Sequence, residues 1–307
     1  MSGERRFDAV VIGAVGIDTN VYLREGDLDL SREGHFTRNV DCIGQAGGFS
    51  SRGYARLGRR VALIASVGDD FGGAWIRRDL AAEGIDVSGL FTDPAGTSRS
   101  VNMMRGDGRR RNFYDGRGAM TLRPDPAMCE VIVTQARLVH VHVVNWSRWL
   151  LPLARERGAV VAADLQDVVS ASDPYRRDYV EQSDVVFFSS ANHSDPRPIV
   201  DAYLRMNPRL TIVVGLGAEG AAAATAQEGF RRFPPFAMDA PVVDTNGAGD
   251  SLAVGFLVSR ILEGRTLEES VLRGQIAARH CCTLPAERAA ELITAETLGA
   301  HVSSASR

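Results

Sequence analysis

The chain has 307 residues, 45% of them hydrophobic, and a formal net charge of −3 at pH 7. That length and composition allow one large α/β domain or two smaller ones, and the small charge gives no reason to expect nucleic acid or a membrane surface as a partner. No apolar run is long enough to span a bilayer and residues 1–6 are mostly polar, so we expect no signal peptide and a cytoplasmic location.

Strands and helices are predicted to alternate along the chain. Nearly continuous apolar runs, typical of strands covered on both faces, lie at 7–15, 61–67, 138–144, 159–163, 184–188 and 210–214. Helical patterns lie at 51–57, 73–83 and 199–206, and two C-terminal helices are predicted to begin at Ser251 and Leu267. The alternation predicts a mostly parallel sheet flanked by helices, with the active site at the carboxyl ends of the strands.

Two stretches interrupt this alternation. Residues 22–40 are charged and contain Gly26 and Gly34, and residues 97–114 predict two short strands, 99–104 and 110–114, around a turn at 106–108. Together they predict a small separate sheet, although two unrelated surface hairpins would give the same pattern. A further hairpin is predicted at 221–233, with its turn at 227–229, and the small polar residues 299–307 are expected to be frayed.

The cysteines and histidines do not suggest a metal site. The four cysteines show neither zinc-ligand spacing nor a disulfide framework, and the six histidines show no metal-ligand spacing. We therefore expect reduced thiols, no structural metal, and histidines that are structural or exposed.

The segment DTNGAGD, at 244–250, joins an extended run at 240–243 to a helical pattern. Its glycines, Gly247 and Gly249, permit a tight turn and close approach of a ligand, and the first N–H groups of a helix have no intrahelical acceptor. The segment thus predicts an anion site suited to phosphate, beside which Asp250 could take a proton from a hydroxyl group. The alternative is a loop shaped by glycines, with Asp250 as a helix cap.

This segment resembles the signature of the ribokinase-like (PfkB) carbohydrate and nucleoside kinases. The resemblance implies that Asp250 is the catalytic base and that the amides of Gly247, Ala248 and Gly249 form an anion hole. It extends along almost the whole chain, and implies a single ribokinase-like α/β/α domain over 1–307 with a small β lid from about 19–42 and 97–117. Because a helix N-terminus favours a carboxylate, we expect the pKa of Asp250 to be lowered.

For the substrate, the resemblance implies that Asp18 binds hydroxyl groups. In the segment GAVGID, at 13–18, it is predicted to end the first strand. A Rossmann-like fingerprint is the alternative, but the segment lacks a third glycine and a following helix. Five arginines cluster in the predicted lid, most of them on a solvated face; one of them, with Arg99 as the candidate, is expected to approach a phosphate group. They are Arg99, Arg105, Arg109, Arg110 and Arg111.

Residues 44–58 resemble the first signature of the family imperfectly. Without gaps, the usual Gly-Gly pair falls on Gly44 and Gln45, and the usual sugar-binding Asn falls on Phe49. Placing the pair on Gly47 and Gly48 instead requires a deletion of three residues. Either alignment removes the Asn, so the resemblance implies a substrate other than ribose bound in the usual way; in a nucleoside kinase, Phe49 could stack on a base.

For the nucleotide and cations, the resemblance implies three sites. A nucleotide loop would contain Gly215, Gly217 and Gly220, with Gly215 where a Thr is common, and Thr245 is assigned to the same cofactor site. Magnesium would be held through water by Asn192 and Asp195, although Asp195 could instead cap a helix before Pro196. Asp244 would belong to a monovalent-cation site, with K⁺ the candidate ion. A further residue, Asp164, is predicted to end its strand, where it could cap a loop or act electrostatically on substrate or magnesium.

These expectations together describe an ATP-dependent, magnesium-using kinase that phosphorylates a hydroxyl group, primary in our reading, of a sugar or sugar derivative. A nucleoside kinase of the same family and a non-catalytic binding protein are the alternatives. A homodimer formed through the lid is a further expectation.

Overall fold

The computed structural model describes residues 5–24, 29, 31, 33–105 and 110–305. In chain order, the elements of this part are β1 (Phe7–Ile12), β2 (Gly16–Leu23), β3 (Thr37–Gly44), α1 (Gln45–Arg56), β4 (Val61–Val67), α2 (Phe71–Ala82), β5 (Asp86–Thr92), β6 (Arg99–Met104), β7 (Arg110–Asp115), α3 (Pro126–Val133), β8 (Ala136–His142), α4 (Leu151–Glu156), β9 (Val160–Asp167), α5 (Pro174–Gln182), β10 (Val185–Ser189), α6 (Arg197–Met206), β11 (Thr211–Gly215), β12 (Ala221–Thr225), β13 (Gly229–Phe233), α7 (Ala248–Leu257), α8 (Leu267–Cys281) and α9 (Ala295–Ala305). A π-helical turn, Val258–Leu262, follows α7, and short 3₁₀ turns lie at Asn145–Leu150, Ser190–Asn192, Gly217–Glu219 and Ala286–Arg288.

The larger sheet has the strand order β13-β12-β11-β10-β9-β8-β1-β4-β5. Its strands from β11 to β5 are parallel, whereas β12 and β13 add an antiparallel hairpin at one edge. Helices α1, α2, α7 and α8 contribute to the core on one face, and α3, α4, α5 and α6 to the core on the other. The mostly parallel sheet between helices is therefore confirmed, and it explains why strands such as β1 are apolar on both faces.

The smaller sheet has the order β3-β2-β6-β7 and unites the two stretches that interrupt the alternation. Strands β2 and β6 are parallel, and β3 and β7 flank them in antiparallel directions. We call this sheet the lid. The apolar run at 7–15 is not one strand, because β1 ends at Ile12 and β2 begins at Gly16. Asp18 therefore lies in the lid and not at the end of the first strand, as the sequence had suggested.

Three further expectations need correction. Residues 299–305 belong to α9, where the side chain of Leu298 is buried, so this segment is helical and not frayed. Helix α7 begins at Ala248, before the predicted start at Ser251. Asp164 lies inside β9, which continues to Asp167. The predicted turn at 106–108, Gly26 and Arg109 lie outside the described residues. Among the described helices, none has the length and apolar character needed to cross a membrane.

Candidate active site

The glycine loop before α7 has the geometry that an anion site requires. Gly247 precedes the helix with φ of +74°, a left-handed conformation that favours glycine. An added Cβ there would lie 2.5 Å from the ring of Phe49, whereas one at Gly249 would meet no atom within 4 Å. Gly247 is thus required by the turn, while Gly249 leaves an exposed stretch of backbone at the positive end of α7. Both features fit a bound phosphate group.

Asp250 lies in the first turn of α7 and its side chain is 13% exposed. Burial raises its pKa well above the ordinary value, the nearby charge of Asp164 raises it further, and Arg110 opposes the rise. This is the reverse of the lowered pKa expected from the helix N-terminus. The loss of hydration and a second carboxylate outweigh the helix dipole, so ionised Asp250 is a stronger base than an exposed aspartate.

His142 lies between two carboxylates, and the sequence did not indicate that this histidine is part of the site. Its Nδ1 atom is 3.9 Å from Oδ2 of Asp164 and 3.9 Å from Oδ1 of Asp250. Burial lowers the pKa of His142 to about 3 and raises that of Asp164 to about 6, so the ring is neutral at pH 7. A Cβ at Gly13 would lie 2.9 Å from that of His142, so glycine at the end of β1 leaves room for the ring.

Asp18 presents a carboxylate from the lid. Its side chain is buried, Oδ2 accepts the N–H of Gln45 at 3.3 Å, and Oδ1 has no partner among the described residues. Burial raises the pKa of Asp18 to about 6, although Ser100 and Arg110 act in the opposite direction. Gly44 lies so close to this carboxylate that any side chain there would overlap it. The unpartnered oxygen is suited to accept a substrate hydroxyl group.

A chain of asparagines joins the lid to the loop before α7. Oδ1 of Asn20 accepts hydrogen bonds from Asn102 at 3.1 Å and from Asn246 at 3.0 Å, and Oδ1 of Asn102 accepts one from Asn112 at 2.8 Å. Asn20, Asn102 and Asn112 are paired across β2, β6 and β7, so their side chains share one face of the lid. We call this the inner face, because it contacts the loop of the DTNGAGD segment, at 244–250, which we call the signature loop. Sequence spacing alone could not reveal the chain, because strand pairing brings the residues together.

The imperfect first signature forms the start of α1. Gln45 has φ of +61°, and the helix continues through Gly47, Gly48 and Phe49 without interruption. This geometry favours the alignment without a gap, because Gln45 then occupies a left-handed position where the family has glycine. Gly47 N donates to Ala14 O at 2.8 Å, where a side chain would be too close. Phe49 is buried beneath Gly247, an arrangement that does not favour stacking on a base.

Among the lid arginines that the structure describes, Arg110 is directed at the site and Arg99 is not. Arg99 is 49% exposed, donates to Thr19 at 3.4 Å and lies 3.8 Å from Asp41, on the face of the lid opposite Asp18. Arg110 pairs with Met104 and shares the inner face, and its charge lowers the pKa of both Asp18 and Asp250. Sequence alone does not tell which of the two arginines faces the site, because successive side chains of a strand point to opposite faces.

The loop after β11 has the tight geometry expected of a nucleotide loop. Gly217 and Gly220 have φ of +61° and +94°, and Leu216 N donates to Gly220 O at 3.0 Å. The turn Gly217–Glu219 is exposed. A Cβ at Gly215 would lie 3.8 Å from Leu252 of α7, so this loop and the helix of Asp250 are adjacent. Thr245, half-buried, accepts the N–H of Ala248 through its carbonyl at 3.4 Å.

The predicted magnesium ligands already form hydrogen bonds within the protein, Asn192 as a donor and Asp195 as an acceptor. Asn192 donates to Asp167 Oδ2 at 3.3 Å, and Asp195 accepts from Arg197 Nε at 3.0 Å and from its backbone N–H at 3.1 Å. The Arg197 guanidinium beside Asp195 lowers the pKa of that carboxyl. Asp195 therefore also organises the start of α6, the alternative that the sequence left open.

Asp244 is a buried carboxylate with two protein donors. It accepts the N–H of Asn246 on Oδ1 at 2.7 Å and the hydroxyl of Tyr22 on Oδ2 at 3.4 Å. Tyr22 belongs to β2, so this contact is a second connection between the lid and the signature loop.

Comparisons with known proteins agree with this geometry. Residues 8–291 match the family model for pfkB family carbohydrate kinases. The chain is 31% identical over 296 residues to an acarbose 7(IV)-phosphotransferase from Actinoplanes sp., with 95% of this chain and 97% of the relative covered. A microbiome-derived acarbose kinase superposes with a TM-score of 0.89 and 29% identity, over 97% of this chain and 99% of the other. The Arabidopsis thaliana ribokinase complexed with ribose and ATP shares the fold, with a TM-score of 0.80 at 19% identity over 96% and 98% of the two chains. The chain therefore belongs to the pfkB family of carbohydrate kinases.

Proposed function

We propose that this kinase transfers a phosphoryl group from ATP to a hydroxyl group of a sugar or sugar derivative, with Asp250 as general base. The main support is the pair of carboxylates at the site. Asp250 follows the glycine loop and Asp18 faces the same space from the lid, each with an unpartnered buried oxygen, and the charge of Asp18 raises the pKa of Asp250. One carboxylate is suited to bind a hydroxyl group and the other to deprotonate one.

Each residue has a separate role in this reaction. Asp18 orients the sugar through a hydroxyl group, and Asp250 takes the proton of the attacking hydroxyl as its oxygen approaches phosphorus. The backbone of residues 247–249 and Arg110 lie where negative charge develops on the phosphoryl group. When bound, Mg²⁺ and ATP supply the phosphoryl group and charge neutralisation. The exposed, glycine-lined backbone at Gly249 fits phosphate, and the oxygen atoms of Asn192 and Asp195 fit magnesium held through water.

A sugar is favoured over a nucleoside by the polar inner face of the lid. That face carries carboxylate, amide, hydroxyl and guanidinium groups, from Asp18, Asn20, Ser100, Asn102 and Arg110. Phe49, which the sequence offered for stacking on a base, is buried beneath Gly247, and the aromatic residues of the inner face are tyrosines, Tyr22 and Tyr114. Because the two most similar relatives described above act on acarbose, acarbose is the first substrate to test, followed by monosaccharides.

Two finer assignments belong to the same proposal. Asp244 is the position for a monovalent cation, with K⁺ as the candidate. Stimulation of the rate by the cation would be measured by comparing K⁺ with Na⁺.

A homodimer formed through the lid is supported by Val101 and Phe113, which are 38% and 53% exposed on the outer face. Light scattering before and after Phe113→Ser would test it.

The function is tested by measuring ADP release with acarbose, free sugars and nucleosides, using wild type and Asp250→Asn. We expect turnover with a sugar and a loss of about a hundredfold or more in kcat for the variant, with ATP binding retained. Asp201→Asn, an exposed aspartate on α6, is the matched control. Turnover by nucleosides alone, by none of the substrates, or near-normal turnover by Asp250→Asn would contradict the proposal.

A further inference from the structure

Two histidines and two aspartates form a buried cluster below the glycine loop. His140 and His142 alternate along β8 and share one face, and Asp164 is paired with His142 on the adjacent strand β9. One ligand atom of each of these three residues lies within 4.8 Å of those of the other two, and their side chains are buried. Asp250 approaches from α7, with Oδ1 at 3.9 Å from His142 Nδ1.

Each imidazole has one nitrogen bound to a hydroxyl group and the other left free. The hydroxyl of Tyr54 is 3.2 Å from Nδ1 of His140, and that of Ser50 is 2.9 Å from Nε2 of His142. Within the described part of the chain, His140 Nε2, His142 Nδ1 and Asp250 Oδ1 have no hydrogen-bond partner. Metal-binding histidines show this arrangement, in which an oxygen on the second nitrogen fixes the tautomer and ring orientation.

An unpartnered polar atom in a protein core is costly, so three in one place require an explanation. A buried water molecule can donate only two hydrogen bonds, fewer than the three unpartnered atoms of this cluster. A divalent cation can bind both carboxylates and, in the tautomer that leaves it unprotonated, the free nitrogen of each imidazole.

We propose that His140 Nε2, His142 Nδ1, a carboxylate oxygen of Asp164 and Oδ1 of Asp250 bind a divalent transition-metal ion, with Zn²⁺ as the best match. Two imidazoles and two carboxylates suit a four-coordinate zinc ion, whereas Mg²⁺ prefers oxygen ligands and keeps several waters. Zinc bonds of about 2.0–2.2 Å place tetrahedral ligands about 3.4 Å apart. The two separations of 3.9 Å from His142 must therefore shorten by about half an ångström, and the wider separations in the cluster, up to 4.8 Å, by more than that, so metal binding requires side-chain rotation.

Such a site would regulate the kinase. A zinc ion on Asp250 Oδ1 occupies the carboxylate that deprotonates the substrate, so Zn²⁺ is expected to inhibit turnover even when Mg²⁺ and ATP are in excess. This consequence rests on the proposed role of Asp250, but the binding of the metal does not. The spacing of this pair is visible in the sequence, because residues i and i+2 of one strand share a face.

Cobalt(II) is the probe, because tetrahedral Co²⁺ has a strong visible absorption that does not depend on kinase activity. We expect chelator-treated wild type to bind one equivalent with this spectrum, and Zn²⁺ to displace it. His142→Asn and Asp164→Asn should each weaken binding at least tenfold, while His35→Asn, which lies outside the cluster, should bind like wild type. Far-UV circular dichroism and thermal unfolding establish that each variant is folded.

The absence of a one-equivalent cobalt spectrum in wild type would overturn the metal site. So would equal cobalt affinity in wild type, His142→Asn and Asp164→Asn. The proposed function can fail independently of the metal site. Near-normal turnover by Asp250→Asn would contradict the role of Asp250 as general base, whereas the cobalt titration would still test metal binding.

Discussion

Asn246 donates a hydrogen bond to Asn20 at 3.0 Å, and this contact joins the loop before Asp250 to the lid strand that carries Asp18. The carboxylate that is to bind the sugar and the carboxylate that is to activate it are therefore positioned by one polar network.

Asn20→Ala should lower the free energy of unfolding by about 1–3 kcal/mol, because it leaves the buried amide groups of Asn246 and Asn102 without their shared acceptor. Urea unfolding measures the change. Asn112→Ala removes the exposed end of the same chain and should cost less than about 0.5 kcal/mol. An equal loss of unfolding free energy in the two variants would show that the shared acceptor, Asn20, does not stabilise the fold more than the exposed end of the chain of asparagines does.

Gly249→Val should abolish phosphate binding without harming the fold. A Cβ at Gly249 meets no protein atom within 4 Å, so only a ligand would collide with the new side chain. We expect unfolding close to that of wild type and a large rise in the dissociation constant of ATP, measured by calorimetry. Gly247→Ala should show the opposite pattern and lose about 1–3 kcal/mol of stability, because its backbone is left-handed and Phe49 is in the way. Normal ATP binding by Gly249→Val would refute the anion-hole assignment.

Arg110→Ala should weaken catalysis, and Arg99→Ala should not. The charge of Arg110 lowers the pKa of both Asp18 and Asp250, while Arg99 forms an ion pair with Asp41 on the outer face of the lid. We expect kcat/KM for the sugar to fall at least tenfold in the first variant and less than twofold in the second. Steady-state kinetics on the pair make the comparison, and a larger effect from Arg99→Ala would contradict the orientation of the lid.

Substrate affinity should fall as the pH is lowered through about 6. Burial raises the pKa of Asp18 to about 6, so below that pH the carboxylate becomes protonated and is a poorer acceptor of hydroxyl groups. We expect the dissociation constant of the sugar, measured by calorimetry, to rise with acidification. Asp18→Asn should bind weakly and show less change over this pH range.

The same pKa predicts a stability change of defined sign. The folded state binds the Asp18 proton more tightly than the unfolded state, so its contribution to stability is full below about pH 4 and is lost as the pH rises through 6. Asp18→Asn should therefore gain in stability relative to wild type as the pH rises from 4 to 7. A constant difference across that range would show that Asp18 is ionised in the folded protein with an ordinary pKa.

The sequence was sufficient for the parallel sheet, because apolar runs such as β4, at Val61–Val67, are covered on both faces and leave a continuous pattern. It was also sufficient for the lid, the hairpin of β12 and β13, and the glycine loop, since charge, glycine and turn residues mark these locally. Asp18 was placed on the wrong strand because the short connection between β1 and β2 is as apolar as the strands themselves.

What the sequence could not provide depends on contacts between distant segments. The raised pKa of Asp250 results from burial and from Asp164, a residue 86 positions earlier in the chain. His142 was overlooked because its importance appears only when β8 is paired with β9 and covered by α7. Arg110 could be separated from Arg99 only after the register of the lid was known.

The connection between β1 and the lid is held on both sides. Ala14 O accepts the N–H of Gly47 at 2.8 Å, and Val15 O accepts the hydroxyl of Ser98 at 3.0 Å. These hydrogen bonds hold the base of the lid to α1 and to the segment before β6. The lid should therefore bend along its strands and not rotate as a rigid body about its base. Displacement would then grow with distance from the large sheet. Asp18, two residues into β2, would stay nearly still while the far ends of β6 and β7 move, so that an arriving sugar meets its first carboxylate already in place.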